Sequence, residues 1–105
     1  MRNGGTYVSK CDERIEIQLS GIINQERLQE LTQYFKDLAE KHQDIDLDMR
    51  MVQYLDSVGL GLLVSLHKRL QKKNGKLRLI GPSPKVVSLF KLTGLHFVLD
   101  VVNPN

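Results

Sequence analysis

The residues with the clearest potential for chemistry lie at positions 56–62, where Asp56 and Ser57 are followed by Gly59 and Gly61. A serine hydroxyl can cap a helix, act as a nucleophile beside a base, or accept a phosphoryl group. Alternating apolar residues precede this segment and a helical repeat follows it. The sequence therefore predicts that Ser57 lies where a strand ends and a helix begins.

Nucleotide binding and hydrolysis each require residues that this segment lacks. A phosphate-binding loop needs a lysine directly after its second glycine, and a dinucleotide fingerprint needs a third glycine where Val64 stands. A hydrolase elbow of the form G-x-S-x-G needs glycine at position 55, which is Leu55, and nothing in the sequence brings a histidine near Ser57. We therefore expect no enzyme activity, no catalytic residue, no cofactor and no metal site.

A capping role alone does not explain the two glycines, because each costs about 1 kcal/mol relative to alanine inside a helix. A helix N-terminus stabilises an anion, and a phosphate on Ser57 would add about −1.5 to −2 charges there. Small glycines would let a partner's catalytic site approach the hydroxyl. The neighbouring apolar residues are Val58, Leu60 and Leu62, and we expect part of them to form a contact patch.

Hydrophobic periodicity predicts the elements that position this serine. Period-two patterns predict strands at 14–20, 45–52 and 76–80, and a weaker one at 6–10 would pair with 14–20 as a hairpin. Helical repeats follow Asn24, Ser57 and Ser83, with Asn24 and Ser83 as N-caps. The apolar run at 97–102 fits a short strand or a packed tail.

The strand predicted at 45–52 indicates which face of the sheet the helices cover. Its alternation places Met49 and Met51 on one face, and Asp46, Asp48 and Val52 on the other. Charged residues on one face indicate that only the other face is covered. The prediction is an α/β fold in a single domain over residues 1–105, with a mixed sheet of four to five strands, helices packed on one face, and loose tails at 1–5 and 103–105.

The composition indicates the cellular compartment and the classes of binding partner that the chain could have. The 105 residues carry a net charge of +3, a single cysteine (Cys11) and no apolar run of the length of a membrane span. We therefore expect a cytoplasmic protein without a signal peptide, a disulfide or a membrane partner. The basic residues at 68–76 fit a nucleic acid, an acidic protein or a solvated helix end, and the lack of interleaved aromatic residues weakens the first of these.

Residues 54–63 resemble the signature of STAS-domain anti-sigma factor antagonists. Residues 19–24, 75–81 and 86–95 resemble that family's segments before its first helix, after its second helix and in its third helix. The resemblance implies a partner switch. The unmodified protein binds a serine kinase of the histidine-kinase-like ATPase superfamily, which also sequesters a sigma factor or another regulator, and thereby frees that client.

The resemblance also implies a cycle of modification. The kinase phosphorylates the serine after the aspartate, here Ser57, the complex falls apart, and a PP2C-type phosphatase restores the unmodified form. Ile22 and Asn24 stand where the family often has acidic residues, in a loop that helps to engage the kinase. The residues that we predict at the partner surface are Asn24, Asp56, Val58, Gly59, Leu60, Gly61 and Leu62.

Other outcomes stay open for such a domain. In related switches the output is biofilm formation, secretion or a cyclase rather than a sigma factor. A STAS subunit of a lipid-transport complex that carries no phosphate is a further alternative, as is a basic nucleic-acid-binding module.

Overall fold

The computed structural model describes residues 14–103, in which strands and helices alternate. The elements in chain order are β1 (Arg14–Ile23), α1 (Leu28–Lys41), β2 (Asp44–Leu55), α2 (Ser57–Gln71), β3 (Leu77–Ile80), α3 (Pro84–Thr93) and β4 (Asp100–Val102). The predicted strand at 6–10, Cys11, the tail at 1–5 and residues 104–105 lie outside the described residues. The assignment of residues 1–105 to one domain therefore stays a prediction.

The described strands form one sheet in the order β1-β2-β3-β4, and each neighbouring pair is parallel. Each connection between neighbours contains one of the three helices, as parallel strands require. This arrangement confirms the predicted α/β fold. The apolar run at 97–102 contains the short strand β4, so it is not only a packed tail. The predicted antiparallel strand of the mixed sheet is at 6–10, outside the described residues.

One hydrophobic cluster fills the space between the sheet and the helices. Its fully buried members include Leu47 in β2, Leu66 in α2 and Phe90 in α3. The apolar stripe of α1 is buried at Leu31, Phe35, Leu38 and Ala39, but Leu28, which starts the helix on the same stripe, is 38% exposed. Leu28 therefore belongs to the surface next to α2 as much as to the core.

Charged residues on the other face of the sheet pair across strands. The Asp46 carboxylate in β2 accepts hydrogen bonds from Arg14 in β1 at 2.7 Å and from Arg78 in β3 at 2.7 and 2.8 Å. These hydrogen bonds, chiefly those from Arg78, hold the pKa of Asp46 below its ordinary value, although partial burial opposes the shift. The face opposite the helices is thus polar, as the alternation predicted.

An irregularity in β2 makes one part of that alternation wrong. Between its pairings with Gln18 and Ser20, the register of β2 against β1 shifts by one residue. As a result Met51 is 57% exposed and Val52 is buried, the reverse of the prediction. A bulge moves the following side chains to the opposite face, and simple period-two counting cannot detect it.

The Asp48 side chain stabilises this irregular segment. Its carboxylate accepts hydrogen bonds from the Arg50 backbone amide at 3.0 Å and from the Arg50 guanidinium at 2.8 and 3.0 Å. The Arg50 contacts hold the pKa of the buried Asp48 carboxyl below its ordinary value. A local carboxylate therefore accepts a hydrogen bond from a backbone donor where the strand pairing is interrupted.

Candidate functional site

Asp56, and not Ser57, caps α2. The Asp56 backbone is extended, and its carboxylate accepts hydrogen bonds from the amides of Val58 at 2.9 Å and Gly59 at 3.1 Å. The Asp56 carbonyl accepts the first intrahelical bond, from the Leu60 amide at 3.0 Å. These contacts satisfy amides that a helix start leaves unpaired, so the cap that the sequence considered for Ser57 is made by Asp56 instead.

Because Asp56 caps the helix, the Ser57 hydroxyl is available for other chemistry. Ser57 is the first residue of α2, its side chain is exposed, and no hydrogen bond joins its hydroxyl to another residue of the described range 14–103. It lies at the carboxyl end of β2, at the positive end of the α2 dipole. A reacting group can therefore reach this oxygen without breaking any contact that holds the fold.

The two glycines of the segment have opposite surroundings. A Cβ atom on Gly59 would lie 2.9 Å from the Ile23 carbonyl oxygen and 2.9 Å from the Leu55 Cβ, so Gly59 permits α2 to pack closely on the strand ends. A Cβ atom on Gly61 would meet nothing within 4 Å, and Gly61 is exposed. The close packing of α2 thus explains Gly59, but no contact within the fold requires Gly61.

The remaining predicted partner residues divide by burial. Leu60 and Leu62 are only 8% and 6% exposed and belong to the hydrophobic core, whereas Val58 and Asn24 are half-buried at the surface. The Asn24 side chain accepts a hydrogen bond from the Glu26 amide at 3.1 Å and thus caps the short 3-10 turn before α1. The surface that the isolated chain offers next to Ser57 is therefore narrower than the predicted patch, and its role in binding stays a prediction.

The profile of one domain family matches this chain over most of its length. That family is the STAS domain, which matches residues 8–104. The chain belongs to the STAS domain family. An anti-sigma-B factor antagonist of Bacillus subtilis is 31% identical to it over 94 residues, which are 90% of this chain and 86% of the relative. The resemblance carried by residues 54–63 to anti-sigma factor antagonists is confirmed.

Solved structures with this STAS fold include SpoIIAA, an anti-sigma factor antagonist from Bacillus. Its unphosphorylated form matches with a TM-score of 0.71 at 19% identity and covers 89% of this chain and 82% of that one. Its phosphorylated form matches with a TM-score of 0.71 at 20% identity, over 89% and 84% of the two chains. At this level of identity the likeness shows the shared fold.

Two exposed apolar residues lie near the serine: Ile22, which the resemblance assigned to a loop but which belongs to β1, and Tyr54, which hydrophobic periodicity did not single out. Ile22 in β1 and Tyr54 in β2 are paired across the strands, and each is 48% exposed. Tyr54 lies two residues before Asp56, and the Asp56 amide donates to the Ile23 carbonyl at 3.2 Å, which holds both residues beside the start of α2. Both side chains are apolar and exposed although they lie on strands, and this exposure identifies them as candidate contact residues.

The three histidines of residues 14–103 lie away from Ser57, and His42 is the C-cap of α1, at the end of that helix far from the start of α2. His67 follows Ser57 by ten positions on α2, about 15 Å along the axis, and lines a cavity with Gly75 and Leu77 at the opposite end of the helix. His96 contacts the Phe90 carbonyl at 3.4 Å beyond α3. Among residues 14–103, no cluster of three acidic, histidine or cysteine side chains could hold a metal. None of the helices within residues 14–103 has the length and hydropathy of a membrane-spanning segment.

A groove between α1 and α2 begins beside the serine. Its volume is about 330 Å³. Its lining is mostly apolar at the end near Ser57, and its one charged lining residue, Arg69, lies at the other end along α2. The groove is lined by Leu28, Thr32, Phe35, Val58, Gly61, Leu62, Ser65 and Arg69.

Proposed function

We propose that this STAS domain is an anti-anti-sigma regulator that is switched by phosphorylation of Ser57. The observation that supports it best is the division of work between Asp56 and Ser57. The aspartate makes both capping hydrogen bonds, and the serine hydroxyl beside it is exposed and makes none within residues 14–103. A phosphoacceptor needs such a hydroxyl, because a kinase must seat the oxygen in its own catalytic site.

The surroundings of Ser57 explain how a phosphate would break a complex. Ile22 and Tyr54 are exposed apolar residues beside the helix start, and Val58 is half-buried there. A partner that covers these residues removes water from the serine. A phosphate of about −1.5 to −2 charges would then have to lose its hydration next to the Asp56 carboxylate, which is of like charge.

The proposed partner is a serine kinase of the histidine-kinase-like ATPase superfamily that also acts as the anti-sigma factor. The relatives' name, anti-sigma-B factor antagonist, supports an anti-sigma factor as the target. In the unmodified state the chain would occupy the kinase and free a sigma factor. A PP2C-type phosphatase would remove the phosphate and restore binding. We place this cycle in the cytoplasm, where a sigma factor and ATP are both present.

The test starts from the kinases of this class in the source organism, each purified and incubated with the chain and ATP. Mass spectrometry is expected to find one phosphate on a peptide that contains Ser57, and none in the Ser57→Ala variant. Ser88→Ala is a matched control, because Ser88 is also exposed on a helix, α3, and does not line the groove beside Ser57. Loss of the phosphate in Ser88→Ala but not in Ser57→Ala would overturn the assignment.

A second measurement addresses the switch itself. Calorimetry of the same kinase with Ser57→Asp is expected to show affinity reduced by about tenfold or more, equivalent to about 1.4 kcal/mol. Because Ser57 makes no side-chain hydrogen bond within the described range, circular dichroism is expected to show an intact fold. Equal affinity of Ser57→Asp and the unmodified chain would argue against a switch.

A further inference from the structure

The groove between α1 and α2 has an apolar half and a second half whose one charged lining residue is Arg69, here called the basic half. Leu28, Phe35 and Leu62 line the half that begins near Ser57, and Arg69 closes the other half. Leu28 is 38% exposed although it belongs to the apolar stripe of α1. The fold thus leaves an apolar slot open beside the proposed phosphorylation site.

Arg69 differs from every other arginine in the described residues. Arg14, Arg27, Arg50 and Arg78 each form an ion pair with a carboxylate within the chain. Arg69 forms none within residues 14–103, although it lines three neighbouring cavities at the surface of α1 and α2. Arginine is favoured at protein interfaces, where its guanidinium can bind a carboxylate with two hydrogen bonds.

Other cations continue the basic half along the helix. Lys68 on α2 and Lys72, which follows the last residue of that helix, are exposed and line the cavity next to the groove together with Arg69. Lys36 of α1 faces the same region, where Glu40 is the acidic residue of the lining. Lys73 donates a hydrogen bond to the Ala39 carbonyl and is thereby held at the C-terminal end of α1. The net charge of this surface is positive, which favours an acidic ligand.

We propose that the groove docks an acidic, amphipathic segment of the kinase, with an apolar side chain between Leu28 and Leu62 and a carboxylate on Arg69. This inference rests on the proposed function and adds the chemistry by which the partner is recognised. Two of the groove's residues, Val58 and Gly61, also belong to the predicted partner surface, so the groove continues that surface. The docked segment would hold the kinase's catalytic site over the start of α2.

The apolar half of the groove favours a protein over a nucleic acid. A phosphate backbone could neutralise Arg69 and Lys72 but would leave the slot beside Leu28 uncovered. Single-stranded nucleic acids stack their bases on exposed aromatic rings, and the aromatic residue of the groove, Phe35, is only 3% exposed. An acidic protein segment with apolar residues can satisfy both halves at once.

Calorimetry with the kinase that phosphorylates the chain tests the groove. At about 50 mM NaCl, Arg69→Glu is expected to weaken binding by about tenfold or more, and Leu28→Ala by about threefold or more. Lys91→Glu makes the same charge change on the exposed surface of α3 and is expected to stay within about twofold of the unmodified chain. Thermal unfolding of each variant verifies that the fold is retained.

The outcomes separate this inference from the proposed function. If Ser57→Asp weakens binding but Arg69→Glu and Leu28→Ala bind as the unmodified chain does, the groove is not the docking site and the phosphorylation switch stands. If no kinase of the class binds the chain, or if Ser57→Asp binds equally well, the proposed function is overturned and this inference with it. Arg69-dependent binding to a DNA duplex or to phosphatidylglycerol vesicles, with kinase binding unchanged in Arg69→Glu, would also overturn it.

Discussion

The start of α2 has one glycine on its inner face, toward the strands, and one on its outer face, toward solvent, and their surroundings differ. On the inner face, Gly59 packs so closely that a Cβ atom would come within 2.9 Å of the Ile23 carbonyl oxygen. On the outer face, Gly61 has open space around the same position. The same contrast separates Asp56, whose Oδ1 accepts both capping hydrogen bonds, from Ser57, whose hydroxyl makes no hydrogen bond within residues 14–103.

This comparison identifies which residues of a short motif are required by the fold. Gly59 and Asp56 are explained by contacts within the chain, so their presence alone gives no reason to infer a partner. Ser57 and Gly61 are exposed and are not explained in that way. The outer face of α2 is therefore where we expect the chemistry of the partner to act, and each substitution below tests one side of this division.

Gly59→Ala is expected to have the largest effect, because its Cβ atom would contact backbone and a buried side chain. Overpacking of this kind lowers the free energy of unfolding by about 1–3 kcal/mol, which outweighs the roughly 1 kcal/mol that alanine adds to a helix. Urea unfolding followed by circular dichroism measures the change. A variant as stable as the unmodified chain would show that the strand ends can move away from α2.

Asp56→Ala removes the cap and is expected to lower the free energy of unfolding by about 1 kcal/mol. Asp56→Asn is the matched control, because asparagine is also a good N-cap but carries no charge to interact with the helix dipole. Asp56→Asn should therefore lose only a small part of that stability. Equal losses in both variants would mean that the charge matters more than the two hydrogen bonds to Val58 and Gly59.

Gly61→Ala is expected to change stability in the opposite direction. Alanine raises the free energy of unfolding by up to about 1 kcal/mol in a helix interior, and Gly61 has no neighbour within 4 Å to oppose it. If the partner approaches Ser57 across this position, the same variant should bind the kinase less tightly. Higher stability with unchanged affinity would show that Gly61 does not serve the interface.

Much of this division could be predicted from the sequence, but not all of it. The strand-helix order and the position of Ser57 at the start of a helix follow from periodicity, whereas the capping role of Asp56 is visible only in the structure. The closeness of Gly59 to Ile23 depends on two segments far apart in the chain, and the exposure of Met51 depends on a register shift against β1. Hydrophobic periodicity depends on neighbouring residues in the sequence, so it cannot predict contacts between distant segments, and these are visible only in the structure.

Arg78 and Arg69 show the same contrast between a side chain that makes contacts within the fold and one that is available to a partner. Arg78 donates two hydrogen bonds to Asp46, whereas Arg69 has no carboxylate partner within residues 14–103. Arg78→Ala is expected to lower the free energy of unfolding at neutral pH by roughly 0.5–1 kcal/mol, since the pair is partly exposed. Arg69→Ala is expected to leave it unchanged.

The pH dependence of these variants provides the sharper comparison. Arg78 holds the pKa of Asp46 below its ordinary value, so this stabilisation is fully present above about pH 4, the pKa range of an unfolded aspartate, and disappears as the pH falls through the lower folded-state value. The difference in stability between Arg78→Ala and the unmodified chain should therefore shrink in acid, as measured by urea unfolding between about pH 7 and pH 2.5. Arg69→Ala should follow the unmodified chain throughout. A pH-dependent loss in Arg69→Ala would reveal a carboxylate partner in solution and would place Arg69 with the residues that the fold requires.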